Sequence, residues 1–223
     1  MSNMDTHTLI TLLSEETIKT LYMTFIGTLV SYLIGLPVGV SLIVTSPNGI
    51  KPHGIYNKVM GFIVNVIRSV PFLILMIALM PYIRIVIGTG IGPKAITAAL
   101  IVAAAPFVAR LVEQSLLEVD PGVIEAAQAM GASTFQIIWK VLLLEGRPSL
   151  LNGAAVATIN ILGYSAMAGT VGGGGLGDVA IRYGLYRFQP AIMWITIVIL
   201  VILVQVMQEA GIRIAAKMDN RIN

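Results

Sequence analysis

Cysteine is absent from the 223 residues. That excludes a disulfide framework and any thiolate metal site, and it leaves the redox compartment unread. Histidine is nearly absent too: only His7 and His53 occur, in polar segments far apart, so no histidine metal site is expected. Charge is scarce. Asp, Glu, Lys and Arg make up 11% of the chain, where a soluble domain carries roughly 25%. So few charges cannot coat a water-facing surface. The net charge of +3 is too small and too dispersed for a nucleic-acid partner. No G-x-x-x-x-G-K-[ST] phosphate loop is present; GTGIGPK, from Gly88 to Lys94, has the wrong spacing. The chain is therefore expected to bind neither metal nor nucleotide itself.

What is abundant is apolar surface, with 57% hydrophobic residues and a mean hydropathy of +0.89. The few charges cluster and leave long neutral runs, the mark of a polytopic membrane protein. Five runs approach the roughly 20 residues that cross about 30 Å of hydrocarbon. They lie at about 20–44, 58–82, 91–111, 150–170 and 188–208. Lipid offers the backbone no hydrogen-bond partner, so each is expected to be helical. The expected fold is an all-α integral membrane protein with five transmembrane helices. The N-terminal tail is not basic and the first apolar run is too long for an h-region, so no cleavable signal peptide is expected.

Five spans put the termini on opposite sides. With the N-terminus outside, the cytoplasmic side receives Lys51, Lys58, Arg68, Arg110, Lys140, Arg147, Arg213, Lys217 and Arg221. The outer side receives Lys19, Arg84, Lys94, Arg182 and Arg187. The excess favours N-out, C-in. It divides the chain into an extracytoplasmic tail (1–16), a membrane domain (17–210) with a cytoplasmic loop at 112–149, and a cytoplasmic tail (211–223).

That loop carries its own punctuation. Asp120 is placed to cap a helix opening on Pro121; the helix PGVIEAAQAM would stop at Gly131. Ser133 and Gln136 form a possible capping box for a second helix, TFQIIWKVLLLE, ended by Gly146 and Pro148. Two short helices on the cytoplasmic face, the first rich in small residues, suit docking into a groove of a partner. Physics alone leaves an ordinary ordered loop as the alternative.

Glu125 to Gly131, EAAQAMG, resembles the EAA motif of binding-protein-dependent ABC importer permeases. Val141 and Leu143 fit its downstream aliphatic positions, but Leu144 stands where the family usually has proline. ETIKTLYMTF, IGLPVGV, IRSVPFLIL, AAPFVARLVEQSLLEV, NILGYSAMAGTVGGGGLGD and VILVQVMQEAGIRI are similar to the permeases of methionine ABC importers, over roughly Thr17 to Ile214. The resemblance implies a homodimer in a bacterial cytoplasmic membrane, each copy docking one ATPase subunit. The docking element is a coupling helix between the third and fourth spans. It also implies ATP and Mg held by that ATPase, a lipid-anchored extracytoplasmic methionine-binding protein, and alternating access to methionine, D- and L-. Glu125, Ala126, Ala127, Met130 and Gly131 are then the expected ATPase-docking residues. Glu125 is equally readable as a helix stabiliser near the positive dipole end. A permease for another amino acid or small organic solute is the alternative.

Asn160, Tyr164, Ser165 and Met167 are the expected substrate-pathway residues, since polar groups within a span usually face protein or a water-filled cavity. Interhelical hydrogen bonding and packing are the alternatives. Arg68 interrupts the second apolar run just before Pro71. Its expected reading is a helix that starts at the interface near Tyr56 and crosses only after Pro71, with Arg68 in a cytoplasmic vestibule; contact with a substrate carboxylate is the other. Gly163-Tyr164-Ser165 weakly resembles an intramembrane serine-protease motif, but no span holds the histidine base that chemistry needs. A channel is set aside only by the docking loop.

VGGGGLGD, from Val171 to Asp178, contains the G-x-G-x-x-G spacing of a dinucleotide site. That reading needs a strand before the glycines, and an apolar helix precedes them here. Gly172, Gly174, Gly175 and Gly177 are expected instead to form a flexible outer gate, with Asp178 a contact for the delivering protein.

Overall fold

The computed structural model describes residues 5–218. Arg221, counted above with the inner bases, and the outermost parts of both expected tails lie outside the described residues. Among the described residues the chain is wholly helical, with no strand. In order come α1 (Thr6–Val44), α2 (Gly54–Ser69), α3 (Phe72–Ile87), α4 (Pro93–Leu117), α5 (Pro121–Ala129) and α6 (Thr134–Ile137). A π-helical turn (Ile138–Leu142) leads to α7 (Leu143–Glu145) and α8 (Arg147–Met167). A 3₁₀ turn (Ala168–Val171), α9 (Gly175–Val179), a second π-helical stretch (Ala180–Leu185) and α10 (Pro190–Met218) complete the chain.

Four helices are individually long and apolar enough to cross a membrane, those beginning at Thr6, Pro93, Arg147 and Pro190. The expected second span, 58–82, is not one helix. Val70 precedes Pro71 and is forced out of helical geometry, to φ −80 and ψ 127. The chain breaks there into α2 and α3, and a fifth span exists only if this bent pair counts as one. The break falls at Val70–Pro71, inside what was expected to be one helix starting near Tyr56. Helix also begins far earlier than the first apolar run, so most of the expected N-terminal tail is the start of α1.

The chain forms two compact units: Met1–Leu29, Pro71–Ala103 and Thr158–Met207; and Val30–Val70, Ala104–Ala157 and Gln208–Asn223. In the first unit, α1 is amphipathic in reverse. Glu16, Thr20, Met23, Thr24 and Gly27 are buried, while Ile18, Tyr22, Phe25, Ile26 and Leu29 are exposed. In lipid the outward apolar face loses nothing, and small or hydroxyl side chains let helices approach. Thr20 and Thr24 donate back to the carbonyls of Glu16 and Thr20, at 3.0 and 2.8 Å, so neither hydroxyl is stranded.

The second unit has a core of Val44, Val108, Val112, Leu116, Val119, Leu142 and Ala157. Gly35 and Gly39 bring α1 against α4: a Cβ on Gly39 would lie 2.5 Å from the Ala109 carbonyl oxygen. Arg110 pairs with Glu113 and donates to Asn65 Oδ1 at 3.0 Å and the Gly61 carbonyl at 3.3 Å, fastening α2 to α4.

The helix expected at TFQIIWKVLLLE is α6, the π turn and α7 in series. Ile137 and Leu142, each 1% exposed, both face the core although they are five residues apart. An α-helix would set such positions about 140° apart at 100° per residue; the i→i+5 ladder of the π turn brings them together. Pro148 does not terminate this segment. It sits in the first turn of α8, where its missing N–H costs nothing, so the fourth span starts at Arg147.

Candidate docking segment and translocation face

α5 is a short, firmly ended rod. Asp120 Oδ1 accepts from the Gly122 N–H at 2.8 Å, and Pro121 occupies the first turn. At the other end Gly131 takes φ +78. The Gly131 N–H bonds the Gln128 carbonyl at 2.9 Å and the Ala132 N–H bonds the Ala127 carbonyl at 3.1 Å, the paired bonds of a Schellman stop. The capping box then opens α6: the Ser133 N–H donates to Gln136 Oε1 at 2.8 Å and the Gln136 N–H to Ser133 Oγ at 3.4 Å.

Of the five expected docking residues, Glu125, Ala126, Met130 and Gly131 are exposed, Met130 at 82%. Ala127 is not: at 5% exposure it packs inside the chain, on the same side as half-buried Ile124. Its smallness serves α5's own seat and not a partner, and it leaves the docking set. Among the described residues Glu125 makes no ion pair; it borders a cleft of about 360 Å³ with Gln128, Ile124 and Leu116. Sequence reasoning missed Val123 and Phe135, both exposed. Their signal was large apolar side chains in the one segment that has charge to spare.

On α8 the four expected pathway residues divide. Ser165 is 1% exposed and donates to the Leu162 carbonyl at 2.7 Å. Its hydroxyl is used within its own helix, so the pathway role is withdrawn. Met167 is exposed, and so is Gly163 one turn earlier; Asn160 is half-buried and engaged. Asn160, Gly163 and Met167 fall at helical spacing on one face. Tyr164, beside them, stacks nearly flat on Phe72 of α3, with ring centroids 4.3 Å apart and planes at 9°. Arg68, in the last turn of α2, is exposed and makes no ion pair among the described residues.

The glycines do not form a flexible loop. Gly173, Gly175 and Gly177 are buried. A Cβ on Gly177 would lie 2.0 Å from the Ala166 carbonyl oxygen, and one on Gly169 would lie 2.2 Å from the Asp178 nitrogen. These residues are glycine because two backbones touch. Gly175, at φ +80, opens the five-residue α9 and aims its N–H at Glu16 Oε2, 2.6 Å away. The Leu176 N–H donates to Thr20 Oγ1 at 2.8 Å. Glu16 is 4% exposed and also takes the Lys19 ammonium at 2.7 Å. A carboxylate at this helix start suits its partial positive charge. Glu16 and Thr20 were missed; an acid and a hydroxyl one turn apart where the apolar run of α1 begins were the available signal. Asp178 is half-buried and pairs with Arg182, whose guanidinium, like that of Arg187, lies against the Tyr183 ring.

An outward apolar face on α1, four helices long and apolar enough to cross a membrane and an exposed, capped α5 define a multi-pass membrane protein. The profile of binding-protein-dependent transport system inner membrane components matches residues 33–209. The chain belongs to that family and is an inner membrane component. It is 48% identical over 210 residues to the probable D-methionine transport system permease protein MetI of Vibrio cholerae, covering 94% of this chain and 93% of the relative. It is 48% identical over 151 residues to the D-methionine transport system permease protein MetI of Escherichia coli K12, covering 68% of this chain and 70% of that one. A solved structure of inward-facing conformations of the MetNI methionine ABC transporter matches at TM-score 0.93 and 45% identity, over 94% of this chain and 97% of that one.

Proposed function

We propose that the chain is the permease subunit of an ATP-driven importer that carries methionine, D- and L-, across the bacterial inner membrane. The observation that carries this reading is the whole-chain match, at 45% identity, to a methionine ABC transporter. Two copies form the translocation path. Each docks one ATPase subunit, which holds ATP and Mg and does the hydrolysis; this chain has no catalytic role. A lipid-anchored binding protein delivers methionine from outside. The orientation is N-out, C-in, with 112–149 and the tail from 211 in the cytoplasm and 1–16 outside.

The docking set is Glu125, Ala126, Met130 and Gly131, joined by Val123 and Phe135. A helix capped at both ends transmits a push without fraying, which is what rigid-body alternating access requires. On the path, Asn160 and Met167 are the contacts on α8, and the Tyr164–Phe72 stack braces that face. A thioether beside an aromatic ring suits a thioether substrate. Arg68 faces the inner vestibule. The packed turn at Gly172–Gly177 closes the outer mouth as one stiff piece, with Asp178 at its rim.

The test is uptake of labelled L-methionine by vesicles holding permease and ATPase, supplied with binding protein. Uptake should require ATP and be competed by D-methionine. Met130→Arg, at an exposed position, should leave the permease folded but weaken ATPase retention about 30-fold, the loss of one interface hot spot. Preferential uptake of another amino acid would replace methionine as substrate. Full ATPase retention in Met130→Arg would remove α5 from the docking role.

A further inference from the structure

The second unit carries a groove of about 660 Å³ that shares only Phe135 with the docking set. Leu36, Val40 and Val44 of α1 line it, and Ile138 and Leu143 line it too. Tyr56 and Trp139, both exposed, belong to its lining. Polar groups gather around the turn that follows α1. The Tyr56 hydroxyl lies 3.0 Å from Ser41 Oγ, and Asn57 Nδ2 donates to the Leu42 carbonyl at 2.7 Å. The Lys51 N–H bonds the Val44 carbonyl at 2.9 Å, and the His53 N–H bonds the Thr45 carbonyl at 3.0 Å. That turn is therefore held against the end of α1, and Lys51 with it.

The charge balance is one-sided. Lys51 lines the groove, is exposed and makes no ion pair among the described residues, and no carboxylate lines the groove. An apolar trough beside a membrane span, with Trp and Tyr in its lining and an unpaired ammonium on the turn that ends the span, has the layout of a lipid headgroup boundary. We propose that this groove binds an anionic phospholipid, one acyl chain lying along Leu36–Val44 and the phosphate paired with Lys51. The inference rests on membrane insertion and not on the choice of transported solute.

The experiment is native mass spectrometry of the purified permease, with the ATPase it carries, released from micelles containing phosphatidylglycerol or phosphatidylcholine. The native chain should retain phosphatidylglycerol about five-fold better than phosphatidylcholine, the value of one lysine near a phosphate. Lys51→Gln should erase that preference and Lys51→Arg should restore it. A photoreactive phenylalanine analogue in place of Trp139, which lines the groove and is exposed, should label lipid. Equal retention of both lipids by the native chain, or an undiminished preference in Lys51→Gln, overturns the proposal. So does label found only on a protein chain, which would make the groove a subunit contact.

Discussion

Removing the carboxylate of Glu16 should unfasten the start of α9 from α1. Glu16 is 4% exposed and holds the Gly175 N–H at 2.6 Å and Lys19 at 2.7 Å. Glu16→Ala leaves that N–H buried without an acceptor, at a cost of about 1–3 kcal/mol. It also frees Lys19, whose side chain is 41% exposed, so this pair adds only about 0–1 kcal/mol. Glu16→Gln keeps an oxygen for the N–H but loses the charge on that bond and the Lys19 ion pair, about 1–2 kcal/mol together. Lys19→Gln breaks the ion pair alone and should cost less than about 1 kcal/mol. The geometry thus dictates an order, with Glu16→Ala the most damaging and Lys19→Gln the least. The assay is loss of the monodisperse peak of the detergent-solubilised permease on heating. At roughly 2–4 °C per kcal/mol for a chain of this size, Glu16→Ala should melt on the order of 2–16 °C below the native chain. Melting of Glu16→Ala no lower than Lys19→Gln would show that the ion pair, and not the buried N–H, is what Glu16 serves.

Two other predictions concern the same unit. Gly177→Ala places a methyl 2.0 Å from a backbone oxygen, whereas Gly163→Ala meets nothing within 4 Å. The first should cost about 3 kcal/mol or more and the second should be neutral within about 1 kcal/mol, measured by the same melt; equal melting would contradict the packing. Orientation is readable at Tyr186, exposed in the turn before α10. In Tyr186→Cys, a thiol reagent that cannot cross the membrane should label intact spheroplasts, and labelling only after lysis would invert the topology.

What the sequence revealed of this fold follows from how local each signal is. The ends of α5 and the start of α6 were legible because Asp120, Gly131 and the Ser133–Gln136 pair act on backbone groups only a few residues away. The break before Phe72 was signalled by Pro71, which restricts its own predecessor, but the expected span 58–82 ran through it. The inward face of α1 was not, because hydropathy ranks Phe25 and Leu29 as core while lipid receives them as surface. The π turn at Ile138–Leu142 was hidden for a related reason: a helical wheel assumes 100° per residue. Ala127 was misplaced because a nine-residue helix of small side chains has too little apolar contrast to reveal its seated face. Glycine was misread at Gly177 because the same residue permits a hinge and a close contact. Only the carbonyl of Ala166 decides between them.

The backbone contacts at Gly169 and Gly177 also limit the genetics of this segment. A side chain on Gly169 would meet the backbone of Gly177 and Asp178, and one on Gly177 the backbone of Ala166, atoms that no substitution can make smaller. A loss at either position therefore has no second-site suppressor within the pair. Selection for recovery should return true revertants, or changes elsewhere that move the whole of Ala166–Val179. On the proposed translocation face, diversification is left to exposed positions such as Gly163 and Met167, where a new side chain displaces nothing already there.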